Sequence, residues 1–541
     1  MSGTPPGDGA HALTAALRAA GVSVCFTNPG TSEVHLVAAL QDTPGTRTVM
    51  CLFEGVATGA ADGYGRMAPV PAMTLLHQGA GLANGLANLH NAQRAGTPVV
   101  NVVGDGAISH RGLGAPLESD VAALARPMSQ WVRSSAHAAD LGADALAALR
   151  AACGPPSGVA TLVVPSDVAW SPWSREPPDD SLHPTTEADP VTTGIRQPST
   201  TITTITADTP ADSARALRAG PGTLLLLGGP TLTARGLAAA DRIARATGAR
   251  ILAEPFPGRL ERGLGVPFVE RLDSAPEAAR ARLADVTRLI LAGAARPVTA
   301  FATPGVSGDL VPPGCAVTRL ADHGQDVVDV LDEVADQVAP GIRPRLHGAL
   351  PGPRPSPGAE LTAETVARVV GAVLPEGAVL VDETNTSGAA LPTATASSAR
   401  HDLLTLSGFA IGHGLPLAVG AQLACPERPV VCLEADGSAM YTLSALWTQA
   451  RENLDVTVLV LNNRGYAILR REARRMLGPS AEPLAELFDL DRPDLDFVRL
   501  SEGMGVPACR VRTVGELADQ LKGALSEPGP HLIDVPVPAA H

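Results

Sequence analysis

Glu434-Ala-Asp-Gly-Ser-Ala-Met-Tyr441, followed by Val460-Leu-Asn-Asn-Arg-Gly-Tyr466, is the part of the chain whose reading decides the fold. An apolar run at 429–433 leads straight into Asp436-Gly437-Ser438. A helical stretch follows, and a second apolar run at 456–461 ends in Asn462-Asn463. Short runs of this kind, separated by a helix, read as buried strands of a parallel sheet. Asp436 and Asn463 stand 27 residues apart, one strand–helix–strand unit. Both therefore fall at carboxyl ends of parallel strands, where open α/β sheets place ligands. A carboxylate, an amide oxygen and a nearby backbone carbonyl are hard oxygen donors of the kind Mg2+ takes. A cation held by them with open positions would accept diphosphate oxygens. Gly437 lets the backbone approach, and the N-terminus of the next helix favours an anion. An Asp-Gly turn alone would be an ordinary strand end; the pair at this spacing points to a site.

The same alternation runs outward in both directions. Apolar runs at 99–103, 161–164, 223–227, 289–292 and 378–381 read as further strands, and stretches such as 11–20 and 236–247 as helices leading into strands. That order implies parallel sheets with helices on both faces. Two stretches carry no apolar periodicity: 174–205, which opens Ser174-Arg-Glu-Pro-Pro-Asp-Asp, and the Pro/Gly-rich 340–360. Taken as tethers, they divide the chain into domains at 1–173, 206–339 and 361–541. The expected class is α/β, with three doubly wound parallel-sheet domains. Blocks one and three also share an internal repeat. Gly81-Leu82, Thr97-Pro98-Val99-Val100 and Asp105-Gly106 are echoed by Gly414-Leu415, Arg428-Pro429-Val430-Val431 and Asp436-Gly437. The echo predicts a common topology.

Composition removes several function classes. The 541 residues are 45% hydrophobic and 18% charged, so large cores can form and wholesale disorder is excluded. Forty-one basic residues stand against 55 acidic ones, a net charge of −14. That balance speaks against sequence-independent nucleic-acid binding. Lys522 is the one lysine. It is followed by Gly523, so there is no Walker A loop, and it sits in an expected surface helix, so no pyridoxal Schiff base is expected. The seven cysteines form no CxxC pair and no zinc spacing, which suits a reducing cytoplasm. Met1–Gly9 has no basic segment followed by an apolar one, and no run of 18 apolar residues occurs, so neither a signal peptide nor a membrane span is expected.

Asp436-Gly437 with Asn462-Asn463 resembles the thiamine-diphosphate motif, Gly-Asp-Gly followed by Asn-Asn, with Ala435 in place of the first glycine. The resemblance implies thiamine diphosphate and Mg2+ as cofactors. Asp436, the Asn463 side chain and the Gly465 carbonyl would be the metal ligands. It extends over nearly the whole chain. Asn28-Pro-Gly-Thr-Ser-Glu33, the stretch from Leu52-Phe-Glu-Gly to Asp62-Gly-Tyr-Gly65, and Leu76-His-Gln-Gly-Ala-Gly-Leu-Ala-Asn-Gly85 are similar to the first domain of benzoylformate decarboxylases and acetolactate synthase large subunits. In that family the domains are pyrimidine-binding, central and diphosphate-binding.

By this resemblance Glu54 is the cofactor-activating glutamate. A buried carboxyl bonded to the pyrimidine ring promotes the tautomer whose own amino group acts as base. His77 matches a histidine that handles protons on substrate-derived intermediates, and Thr31 matches a serine that contacts the substrate carboxylate. Ile411 matches the apolar wedge under the bent cofactor. Asn385, Thr386, Gly437 and Ser438 are candidates for the diphosphate. Two features depart from relatives. The stretch 293–305 lacks the decarboxylase's second histidine, and it lacks the Arg-Phe-Asp-type pattern that accompanies flavin, so FAD is not expected. The implied activity is a 2-oxo-acid decarboxylase or carboligase that forms an enamine and either protonates it or joins it to an acceptor aldehyde or ketone. An acetolactate synthase condensing two 2-oxo acids and a catalytically silent cofactor-binding regulator are the alternatives. The family builds its site between subunits, which implies a homodimer or homotetramer.

Overall fold

The computed structural model describes residues 7–173, 205–302, 305–322, 324–348 and 355–538. The tether at 174–205 thus lies, except for Ile205, outside the described residues, and 340–360 is described in part. Three sheets organise the chain. The first holds β1 (Val24–Asn28), β2 (Arg47–Met50), β3 (Met73–His77), β4 (Val99–Asp105), β5 (Trp131–Ser134) and β6 (Val159–Pro165), in the order β2-β1-β3-β4-β6-β5. The second holds β7 (Thr223–Leu227), β8 (Arg250–Ala253), β10 (Arg288–Ala292) and β11 (Ala316–Arg319), in the order β11-β10-β7-β8. The third holds β12 (Val379–Glu383), β13 (His401–Thr405), β14 (Val430–Ala435), β15 (Val456–Asn462), β16 (Ala508–Arg510) and β17 (His531–Pro536), with β9 (Leu260–Arg262) at one edge. Its order is β16-β17-β15-β14-β12-β13-β9. Every pairing is parallel except β9 on β13. The central strands β6, β7, β14 and β15 are buried from end to end, as parallel strands covered on both faces must be.

Without β9, the third sheet repeats the first. Counted from β12, its strands lie in the same spatial order as the first sheet's counted from β1. The shared topology expected from the sequence echo is present, but the echo is off by one strand–helix unit. It set β4 beside β14, whereas the strand topologically equivalent to β14 is β3. Ala/Gly-rich helices followed by Val-rich strands recur in this chain, and composition alone does not separate one such unit from the next.

The helix equivalent to Gly414–Ala424 is Glu54–Met67, and the two pack against each other. They approach so closely that a Cβ on Gly420 would overlap the Ala60 carbonyl, and one on Gly63 would overlap the Leu417 carbonyl. One apolar core therefore runs through both domains, from Phe26 and Val56 to Leu415, Val430 and Phe497. A second joins the central block to the third sheet, from Leu225 and Ile290 to Leu380 and Leu459. This packing brings the carboxyl ends of β3, β12 and β14 into a fixed relation.

Candidate active site

At the end of β14 the chain turns at Ala435, which has φ −81° and ψ 145°. That is ordinary extended backbone, so alanine costs nothing where the motif has glycine. Asp436 follows and is 2% exposed. Its Oδ1 accepts the Gly437 N–H at 2.8 Å and its Oδ2 accepts the Gly465 N–H at 3.3 Å. Asn463 Oδ1 accepts that same Gly465 N–H at 3.1 Å. Carboxylate and amide oxygens thus converge on one small donor. Burial raises the Asp436 carboxyl above its ordinary range, opposed by the surrounding backbone N–H groups. It makes no ion pair among the described residues. A buried acid with convergent oxygens and no cationic partner suits a divalent cation. The Gly465 carbonyl accepts from Ala467 N at 3.0 Å and keeps a second lone pair. Gly437 has to be glycine, because a Cβ there would overlap the Tyr466 ring. Arg464, between the two ligand positions, is held at φ +59°.

Asn385, at the end of β12, has φ +51° and donates from Nδ2 to Ser438 Oγ at 2.9 Å. The structure therefore joins two of the expected diphosphate residues. Thr386 sits half-buried in the same turn. Ile411 lies in a loop pinned on both sides. Asn88 Nδ2 donates to the Gly412 carbonyl at 3.3 Å, Asn91 Nδ2 to the Ala410 carbonyl at 2.8 Å, and the Ala410 N–H to Asn91 Oδ1 at 3.2 Å. On the other side Gly412 N donates to Glu383 Oε1 at 2.8 Å and His413 N to Glu383 Oε2 at 2.7 Å. Phe409, two residues before Ile411, is held at φ +63°. Four of the five left-handed non-glycine residues among the described residues, Gln78, Asn385, Phe409 and Arg464, thus adjoin candidate positions. Strain of this kind, worth about 1–3 kcal/mol per residue, persists where the surroundings over-determine the backbone.

The first domain supplies the acid and the histidine. Glu54 opens the Glu54–Met67 helix and is 7% exposed. Asn84 donates to its Oε2 at 3.0 Å. Asn88, one turn on, donates to the Gly55 carbonyl at 2.8 Å as well as to Gly412, so it spans from the start of the Glu54 helix to the Ile411 loop. His77 ends β3 and precedes the Gln78–Ala95 helix. Its Nδ1 lies 2.8 Å from Glu33 Oε2 and 3.1 Å from Ser32 Oγ. Glu33 is fully buried and also accepts from Gly30 N at 2.8 Å and Ser32 Oγ at 2.8 Å. Gln78 Nε2 donates to Ser32 Oγ at 3.0 Å. Thr31 is exposed, with no side-chain hydrogen bond among the described residues. The hydroxyl the structure brings to His77 is that of Ser32.

Sequence reasoning missed Glu33, Ser32, Asn84, Asn88, Asn91 and Glu383. Glu33 and Ser32 stood inside the quoted Asn28–Glu33 stretch, but their pairing with His77 depends on β1 and β3 being neighbours. The asparagines recur along one helix, which was a signal: buried amides on a helix need partners. A further missed group joins the domains. Asp62, Arg66 and His413 are all buried, with Asp62 Oδ2 2.7 Å from both Arg66 Nη2 and His413 Nε2.

The chain matches two family models. One is described as thiamine pyrophosphate enzyme, N-terminal TPP binding domain, over residues 7–124, and the other as thiamine pyrophosphate enzyme, C-terminal TPP binding domain, over 385–535. It is 52% identical over 541 residues to "Putative acetolactate synthase large subunit IlvX" of Mycobacterium tuberculosis, covering 98% of this chain and 99% of the relative. It is 31% identical over 542 residues to benzoylformate decarboxylase of Pseudomonas aeruginosa, covering 96% and 97%. Among solved structures, the thiamine diphosphate-dependent 4-hydroxybenzoylformate decarboxylase of Rhodococcus jostii RHA1 superposes with a TM-score of 0.81 at 26% identity, covering 98% and 99%.

Proposed function

Because the chain belongs to the thiamine pyrophosphate enzyme family, we propose that it decarboxylates a 2-oxo acid and either protonates the product or joins it to an acceptor aldehyde or ketone. Bound here, thiamine diphosphate would supply a nucleophilic carbon and an electron sink for loss of carbon dioxide. Everything else falls to this chain. Asp436, Asn463 and the Gly465 carbonyl would hold Mg2+, and Asn385, Thr386, Gly437 and Ser438 would take the diphosphate. Ile411 would support the cofactor. Asn84 fixes one oxygen of Glu54, which leaves Oε1 to exchange a proton with the pyrimidine ring.

The observation that carries the decarboxylase reading is the set at the end of β3. With Nδ1 committed to Glu33 and Ser32, His77 presents Nε2 as the atom that gives or takes a proton on the substrate side. Thr31, exposed one residue from Ser32, is free to meet the substrate carboxylate. An acetolactate synthase condensing two 2-oxo acids is the second reading, favoured by the 52% identical relative. A panel of 2-oxo acids, with and without acceptor aldehydes, followed by carbon dioxide release and product mass, separates the two. Aldehyde or mixed carboligation products support the first reading, and acetolactate from pyruvate alone supports the second.

The Gln78–Ala95 helix exposes Ala80, Ala83, Asn84 and Ala87 at helical spacing. This exposed small-residue face carries the partner of Glu54 and is a surface that a second copy would cover in a homodimer or a homotetramer built from it. The seven free cysteines are in keeping with a cytoplasmic setting. Among the described residues no helix is long and apolar enough to cross a membrane.

A further inference from the structure

We propose that Glu383 is a positioning residue for the cofactor: by gripping three consecutive backbone N–H groups, it sets the loop that carries Ile411. The inference rests on the reading that Ile411 lies against thiamine diphosphate. Glu383 ends β12 and is 2% exposed. Its Oε1 accepts from Gly412, and its Oε2 accepts from His413 and Gly414. These donors are the loop's last two N–H groups and the first of the Gly414–Ala424 helix, where intrahelical acceptors are missing and a negative charge is favoured. A Cβ on Gly414 would overlap the Glu434 carboxylate, so the approach itself depends on glycine. Across the loop, Asn88 and Thr442 take the Gly412 carbonyl and Asn91 takes both polar groups of Ala410. Ile411 has no backbone hydrogen bond among the described residues. It is aimed through its two neighbours, one of which Glu383 holds.

Among the described residues no arginine or lysine is ion-paired with this carboxylate. Facing it are Glu434 and Cys432 of β14. His413, whose backbone N–H it takes, turns its ring to Asp62, with Nε2 2.7 Å from Asp62 Oδ2 beside Arg66 on the Glu54–Met67 helix, and burial lowers that imidazole below its ordinary value. Burial pushes Glu383 up to about 7 against the opposing pull of the three N–H groups. Its charge is therefore lost within the neutral range, and the grip on the three N–H groups weakens with it. The effect on fold stability has the opposite sign. A carboxyl whose folded value lies above its unfolded value stabilises the fold most at low pH, and that contribution is lost as pH rises through about 7. A merely structural Glu383 makes the protein more heat-stable on acidification. A positioning Glu383 makes it bind cofactor less well.

The test compares wild type with E383Q by calorimetric titration of thiamine diphosphate in Mg2+ at pH 8 and pH 6. Melting temperature and amide exchange of residues 408–414 in the cofactor-free protein are read alongside. Wild-type affinity is expected to fall roughly tenfold from pH 8 to pH 6, the size of one charge-assisted hydrogen-bond set. E383Q at pH 8 should already show the weak value, should lose most of the pH change, and should exchange the Gly412–Gly414 amides faster without a lower melting temperature. A folded E383Q with wild-type affinity, or with the wild-type pH change, overturns the proposal. If E383Q does not fold, wild-type affinity that is level or rises on acidification overturns it. If wild type binds no thiamine diphosphate, the reading of the site fails, and unchanged loop exchange in E383Q would overturn the grip separately.

Discussion

Glu54 carries one oxygen fixed by Asn84 and one with no hydrogen-bond partner among the described residues, which is the arrangement a proton-exchanging acid needs. E54Q keeps the shape and the Asn84 contact while removing the exchangeable proton. It should cut turnover by about 10²–10⁴-fold with cofactor affinity changed only a few-fold, read by steady-state rates beside calorimetry. Turnover near the wild-type level would remove Glu54 from the chemistry. Asp436 and Asn463 could be named before any coordinates because a short motif at fixed spacing marks them, and Glu54 because the stretch around it resembles the family's first domain. Glu33 and Glu383 could not. Each is a lone acid in an unremarkable loop or strand end, and its meaning comes from non-local neighbours: His77 across β1 and β3, and the 412–414 amides brought back by a whole strand–loop–helix excursion. Thr31 was singled out by motif position, one residue from the hydroxyl that the turn carries to His77.

At the scale of elements, strands were legible because parallel strands are apolar throughout. The run read at 99–103 is β4, Val99–Asp105, and the run at 456–461 is β15, Val456–Asn462. The edge strand β9 was not legible: three residues, Leu-Glu-Arg, offer no period, and their pairing with β13 is decided by the third sheet's open edge. Helix amphipathicity failed for Gly414–Ala424, which is buried on nearly all sides. Its glycine contacts set the distance between domains. Gly420→Ala should force Ala60 and the Glu54–Met67 helix away, at a cost of about 1–3 kcal/mol seen as a lower melting temperature and weaker cofactor binding. Gly523→Ala, where an added Cβ meets nothing within 4 Å, is the control and should leave both unchanged.

For the whole molecule, the Asp62–Arg66–His413 cluster clamps the first domain to the third. Arg66 reaches further, with Nη1 donating to the Gly258 carbonyl at 2.9 Å and the Thr405 carbonyl at 2.8 Å, so that three segments meet on one guanidinium. Arg66 and His413 hold Asp62 well below the usual carboxylate range despite its burial. Its stabilising contribution is full above the unfolded value near 3.8 and is lost as pH falls through the lower folded value. D62N leaves a buried guanidinium unpaired and should cost about 3–5 kcal/mol at pH 7. The melting-temperature gap to wild type should narrow progressively below about pH 4, where the unfolded chain takes up a proton that the folded Asp62 still refuses. The two domains so joined carry the residues proposed for the cofactor, and the proposed anchor is the convergence of Asp436 and Asn463 on the Gly465 N–H. The most direct measurement is calorimetric titration of thiamine diphosphate into wild type, D436A and N463A, each with and without Mg2+. Wild type should bind tightly only with the metal, and either substitution should abolish the metal's contribution. Tight, metal-independent binding in wild type, or metal-dependent binding that survives both substitutions, would contradict the account.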